Sequence, residues 1–294
     1  MTANSSGVLR SNRWIGGLLV LPAVLWLLCF AIAPMIYLAC LSLWTSTAFG
    51  ITSDWTFKNF ETIFSEPVYL RALLRTLRIA ALTTLLSLLA AFPIALFLSR
   101  ARARTKAVLV MLIFLPFWTS YVVRSFLWLP MLGRNGLINQ GLMALGVTDA
   151  PVDWLLYNEG AIYVGLVYVY MLFMTLPIYQ SLDRLDAKLI EAAGDLGATP
   201  LQVFQRVIIP LSLPGVSSGC TMVFLLSCGA YVTPQLLGGA SGLMMGNVIA
   251  TQFQNSNNWA LGAALSIVLV AVVLLALVFA ARRLGLMNIF MGAR

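Results

Sequence analysis

Long apolar runs separated by short charged stretches set the pattern of this chain. No charged residue occurs from Trp14 to Ser53, and residues 15–43 predict a first membrane-crossing helix. Further apolar runs at about 76–99, 107–130 and 160–182 predict three more, each near the ~20 residues that a helix needs to cross the hydrocarbon. The third run carries a single charge, Arg124. Residues 207–281 carry none, which leaves room for two spans, at about 212–236 and 260–281. The polar stretch 238–258 between them is expected to be their connecting loop. The result is a single all-α, polytopic membrane domain of six helices over 1–294.

The segments between spans have a character of their own. Residues 58–78 mix charges with Phe60, Ile63, Phe64, Leu70, Leu73 and Leu74, the pattern of a short amphipathic helix at the outer interface feeding the second span, with Arg75 and Arg78 snorkelling. The outer stretch 132–159 is similar, with Asn135-Gly136 as a turn signal. The first apolar run exceeds the ~7–15 residue core of a cleaved signal, so it is expected to be retained.

Composition agrees with a membrane chain and narrows its chemistry. The 294 residues are 61% hydrophobic and 10% charged, with no histidine; a typical soluble domain is about 25% charged. Without histidine, and with Lys58, Lys106 and Lys188 all outside the spans, an intramembrane enzyme lacks a base. Cys29, Cys40, Cys220 and Cys228 fall in apolar runs with no CxxC spacing, so they read as small core residues and no metal site is expected. No acid lies in any expected span, which disfavours a proton-coupled carrier. An ion-coupled secondary carrier remains the distant alternative, though no self-similarity between the halves supports it.

The net charge of +8 is unevenly placed. Arg10, Arg13, Arg100, Arg102, Arg104, Lys106, Arg184, Lys188, Arg206, Arg282, Arg283 and Arg294 all fall in the two tails and the loops after spans two and four. Basic residues concentrate in cytoplasmic loops, so both termini are expected in the cytoplasm.

One cytoplasmic loop, 183–210, is unlike a simple connector. Leu185, Leu189, Ala192 and Leu196 recur as one stripe of an amphipathic helix. Gly197 follows where a left-handed terminal residue would sit. Thr199-Pro200-Leu201-Gln202 then reads as a capping box with proline at the first helical position. Helix, tight turn, helix, lying against the cytoplasmic face, is a shape for docking.

Glu191-Ala192-Ala193, Gly197 and Val207-Ile208-Ile209-Pro210 resemble the EAA loop of type I ABC importer permeases: EAA, three residues, G, nine residues, I, one residue, LP. Val207 and Ile209 replace the Ile and Leu of that pattern. The resemblance implies that Glu191, Ala192, Ala193, Gly197, Ala198, Thr199, Pro200 and Gln202 belong to a coupling helix and its turn, which fit into a cleft of a cytoplasmic ATPase. This chain has no GxxxxGK[ST] phosphate loop. ATP and Mg would therefore be used by the partner ATPase, and no cofactor is expected on this chain.

Leu115-Pro116-Phe117-Trp118-Thr119 with Arg124, Gly165-Leu166-Val167-Tyr168, Leu237-Gly238-Gly239 and Gly246-Asn247-Val248-Ile249 extend the likeness to PotB-type permeases of spermidine/putrescine importers. That resemblance implies a bacterial inner-membrane location, a second PotC-like permease, two ATPases and an extracytoplasmic binding protein. The cargo it implies is a small amine: a polyamine first, and for relatives an opine, aminobutyrate or aminoethylphosphonate. A polyamine path should offer carboxylates or aromatic faces. Trp118, Tyr121 and Tyr231 supply the aromatics, Arg124 adds a positive charge, and Ser217, Thr221 and Gln235 make the fifth span the most polar. For Ser217 and Thr221, back-bonding within a helix packed through Gly215 and Gly219 is the equal alternative.

Overall fold

The computed structural model describes residues 20–47 and 50–283; Arg10, Arg13, Arg294 and the start of the expected first span lie outside them. Helix α1 runs over Val20–Ser42, with one wide turn at Leu28–Ile32. A two-stranded hairpin follows, β1 (Thr45–Thr47) against β2 (Gly50–Thr52), with Ser46 opposite Ile51. It departs from the all-helical expectation. It is held by Ser46, whose Oγ accepts from the Ala260 amide at 3.0 Å.

Helix α2 (Lys58–Ser65) is the expected amphipathic segment, but it stops at Glu66. Helix α3 (Pro67–Arg100) then runs unbroken for 34 residues, about 51 Å at ~1.5 Å per residue. It therefore begins well before the expected span at 76. Pro67 starts it because a first-turn residue needs no amide hydrogen.

The expected third span, 107–130, is not one helix. Helix α4 (Ala103–Phe114) continues as a tighter turn over Leu115–Trp118. The chain then bends by 95° into α5 (Tyr121–Phe126), α6 (Trp128–Leu132) and α7 (Leu137–Ala144). Pro116 lacks a donor, Thr119 is extended (φ −95°, ψ 150°), and Ser120 opens a new helix by accepting from the Val122 amide. An apolar count cannot register these breaks.

Helix α8 (Glu159–Asp183) occupies the expected fourth span, capped by Asn158. Next come α9 (Ala187–Asp195) and α10 (Pro200–Val203), the latter passing through a wide turn at Phe204–Ile208 into α11 (Ile209–Cys228). The fifth span thus starts at Pro200 and stops at Cys228, not 236. Gln235 belongs instead to α12 (Val232–Leu237), and Tyr231 is the residue that precedes that helix. Its Pro234 falls in the first turn, where the missing amide hydrogen costs nothing. The expected loop 238–258 contains α13 (Met245–Gln254), and α14 (Trp259–Arg283) closes the described chain.

Helices α3, α8 and α11 form the main packing unit. Small residues make the approach possible. Ala80, Thr83, Ser87, Ala91 and Ala95 of α3 are all fully buried. A Cβ at Gly215 of α11 would lie 2.4 Å from the Pro177 carbonyl oxygen of α8, and one at Gly219 would lie 2.9 Å from the Met174 sulfur. Without a hydrophobic drive inside lipid, such close backbone contact is what holds helices together. A second cluster joins α2, α3, α13 and α14 around Ile63, Leu73, Met245 and Leu265. The Met245 amide donates to Thr76 Oγ1 at 2.7 Å across it. Of the four cysteines, only Cys228 is buried and Cys29 is exposed, so Cys29 is not the core residue expected.

Candidate functional site

The loop between α8 and α11 is built by its local sequence. Asp186 caps α9 by accepting from the Lys188 amide at 3.0 Å. At the other end Gly197 takes φ +79°. Its amide donates to the Gly194 carbonyl at 2.8 Å, and the Ala198 amide donates to the Ala193 carbonyl at 3.0 Å, the paired bonds of a Schellman turn. Thr199 then opens α10: its Oγ1 accepts from the Gln202 amide, while Gln202 Oε1 accepts from the Thr199 amide at 2.9 Å. Pro200 sits at the first helical position.

Which face of this unit is free differs from the expected stripe. Leu185, Ile190, Ala193 and Ala198 pack against the main core. Leu189, Ala192 and Leu196 turn outward, with Leu196 90% exposed, and Leu201 is 63% exposed beside them. Glu191, Gly197, Thr199, Pro200 and Gln202 share the exposed side. The period revealed a helix; it could not show that part of the stripe faces away from the protein. Leu196 and Leu201 fall within the stretch 191–202 that the motif marks for docking, and their apolar character at an aqueous surface is a signal in itself.

The residues expected along a solute path do not come together in one place. Tyr121 and Arg124 lie at the break of the third apolar segment. There Tyr121 Oη is 3.0 Å from Thr233 Oγ1, and Ser125 Oγ is 2.9 Å from the same atom. Tyr170 of α8 donates to the Leu226 carbonyl at 3.1 Å, just before the break after Cys228. Two discontinuous helices therefore meet at their breaks, with polar side chains between them. Irregular backbone at membrane depth is tolerated where it is buried in protein or lines a cavity. Arg124 is only 6% exposed, and its guanidinium carbon lies 4.3 Å from the Phe117 ring centroid. Its Nε has no hydrogen-bond partner, and among the described residues it forms no ion pair.

Ser217 and Thr221 lie elsewhere, in a groove of about 690 Å³ between α3, α11 and α14. Both hydroxyls bond back to their own helix, to the Pro214 and Ser217 carbonyls. Gln235 lines a small polar recess of about 140 Å³ with Asn247, Thr251 and Gln254. The Tyr231 carbonyl accepts from Asn247 Nδ2 at 2.8 Å, while its ring is exposed. Trp118 is 82% exposed and joins none of these groups.

Comparison with known proteins meets this geometry on the same elements. Residues 75–284 match the family described as "Binding-protein-dependent transport system inner membrane component". The spermidine/putrescine transport system permease protein PotB of Escherichia coli K12 is 36% identical over 271 residues, covering 92% of this chain and 98% of that protein. The inner membrane ABC transporter permease protein YdcU of the same organism is 32% identical, covering 80% and 78%. Among solved structures, a bacterial alginate ABC transporter in complex with its pentasaccharide-bound periplasmic protein gives a TM-score of 0.71 at 19% identity, covering 93% and 96%. The inward-facing methionine transporter MetNI gives 0.53 at 20%, covering 73% and 93%. These likenesses show the type I ABC permease fold. Permeases of this kind work with a substrate-binding protein and separate ATPase subunits, and are not themselves enzymes. The match spans both the coupling loop and the packed α3–α8–α11 unit, and the chain belongs to the binding-protein-dependent inner-membrane permeases of ABC importers.

Proposed function

We propose that this permease imports a polyamine such as spermidine or putrescine by alternating access, paired with a second, PotC-like permease and driven by two cytoplasmic ATPases that bind the ATP and Mg. The observation that carries this reading is the 36% identity to PotB across 98% of that protein's length. Glu191, Ala192, Ala193, Gly197, Ala198, Thr199, Pro200 and Gln202 form the coupling unit in this reading. The exposed Leu189, Leu196 and Leu201 supply its apolar contact. Both termini face the cytoplasm, on the side where the basic loops fall. The solute passes the junction of Tyr121, Arg124 and Thr233, with Trp118, Ser217, Thr221, Tyr231 and Gln235 further along the path.

The test is ATP-driven uptake in proteoliposomes holding the permease pair and the ATPase, with the binding protein added outside. Labelled putrescine or spermidine should accumulate only with ATP. One observation favours a second cargo, a solute bearing both an amine and an acid, such as an opine, aminobutyrate or aminoethylphosphonate. Arg124 is a buried cation with no counter-charge among the described residues, and a buried charge is costly unless paired. Uptake of such a solute with no polyamine uptake would replace the first reading with the second.

A further inference from the structure

None of the residues of helix α4 is buried. It is tied to α8 near its two ends. At the cytoplasmic end Lys106 Nζ lies 2.6 Å from Asp183 Oδ1 and 5.6 Å from the Tyr179 ring centroid. At the far end Phe117 meets Phe173 edge-on, with centroids 5.6 Å apart. Phe117 is also the ring beneath the Arg124 guanidinium. Asp183 is the last residue of α8 and stands three residues before Asp186, the cap of the coupling helix. The break at Thr119 frees the Ala103–Trp118 rod from the segment beyond it.

From this arrangement we infer that Lys106 is a positioning residue for transport: its ion pair with Asp183 makes α4 follow the coupling loop and carries that movement to the junction at Phe117 and Arg124. This rests on the ATP-driven import proposed above. A force on α9 displaces the end of α8. Without Lys106, the cytoplasmic end of α4 has no buried side chain to follow it. With Lys106 in place, the rod moves as one piece, about 17 Å from Lys106 to Phe117 at ~1.5 Å per residue. The pair is partly exposed, with side chains 25% and 39% accessible, so it adds little to folding. Its removal should therefore be read in coupling. A physical link is a claim about coupling and has to be measured as coupling.

The experiment uses the reconstituted importer and measures solute carried per ATP hydrolysed, together with the amount of ATPase retained by the permease. Lys106→Met should keep the ATPase bound and hydrolysing, yet lower the transport-to-hydrolysis ratio by about threefold or more. Lys106→Arg, and the swapped pair Lys106→Asp with Asp183→Lys, should restore it. An unchanged ratio in Lys106→Met overturns the inference, as does a swapped pair that assembles normally but stays as uncoupled as the single variant. If Lys106→Met does not assemble, Asp183→Asn is read by the same criteria. Failure of the wild-type protein to import any solute with ATP would instead strike at the proposed function.

Discussion

Replacing Leu196 with alanine removes most of an aliphatic side chain that does nothing for the isolated permease. Leu196 is 90% exposed at the end of α9, so its apolar surface is already in water and its truncation should leave the melting temperature unchanged. On docking into an ATPase cleft the same surface would be buried. The change removes about three carbons at ~0.8 kcal/mol per buried CH₂, or roughly 2 kcal/mol once scaled by that exposure. With a tenfold change for each 1.4 kcal/mol, affinity for the ATPase should fall about thirtyfold. The assay is titration of purified ATPase onto the permease in nanodiscs, with thermal stability measured in parallel. Ile190 on the opposite face packs into the core, and Ile190→Ala should show the reverse pattern, a loss of stability first. Affinity within twofold of wild type for Leu196→Ala would refute the assignment of this face to the ATPase.

Further outcomes follow from the same loop and the helix crossing behind it. Gly197→Pro conflicts with φ +79° and deletes the amide that donates to Gly194, while Glu191→Arg reverses a charge on the exposed side; each should abolish ATP-driven uptake while membrane-fraction levels stay normal, and wild-type uptake in either would count against the coupling reading. Thr199→Ala removes the cap of α10 and should cost about 1 kcal/mol locally, read as faster amide exchange over 201–204. Gly215→Val places a side chain where even a Cβ would come within 2.4 Å of the Pro177 carbonyl oxygen, so the melting temperature in detergent should drop sharply; Gly219→Ala, against the softer Met174 sulfur, should fall less.

Much of this molecule could be read from the order of its residues because lipid imposes a simple rule. A backbone in hydrocarbon must bond to itself, so long apolar runs become helices. Glu159–Asp183 and Trp259–Arg283 lie within a few residues of where the runs placed them. The turn at 197–202 was legible for another reason: Gly197, Thr199, Pro200 and Gln202 each act locally, through φ and capping bonds. Tertiary features were hidden. The 95° bend after Trp118 depends on Thr119 going extended where Ser120 can start a new helix, and neither residue interrupts an apolar run. Helix α13 looked like a polar loop because Asn247, Thr251 and Gln254 dominate it, yet Met245, Val248 and Ile249 at helical spacing meet the second cluster. The path candidates scattered for a similar reason. Polarity selects Ser217, Thr221 and Gln235 alike and aromatic character selects Tyr231, whereas the ends of α11 and α12 decide which of them share a space. Thr233, the hydroxyl that joins Tyr121 to Ser125, counts in the sequence as one more polar residue of the expected fifth span, and nothing in its polarity shows that it meets those two side chains.

The most direct measurement places a photo-crosslinking amino acid at Leu196 and, separately, at Leu201, irradiates intact membranes, and identifies the adducts by mass spectrometry. A covalent product with a cytoplasmic ATPase subunit, from both positions and not from the inward-facing Ile190, is the expected result. Adducts with lipid alone, or none with an ATPase at either position while the permease is present at normal levels, would contradict the assignment of this loop as the point where ATP hydrolysis is converted into transport.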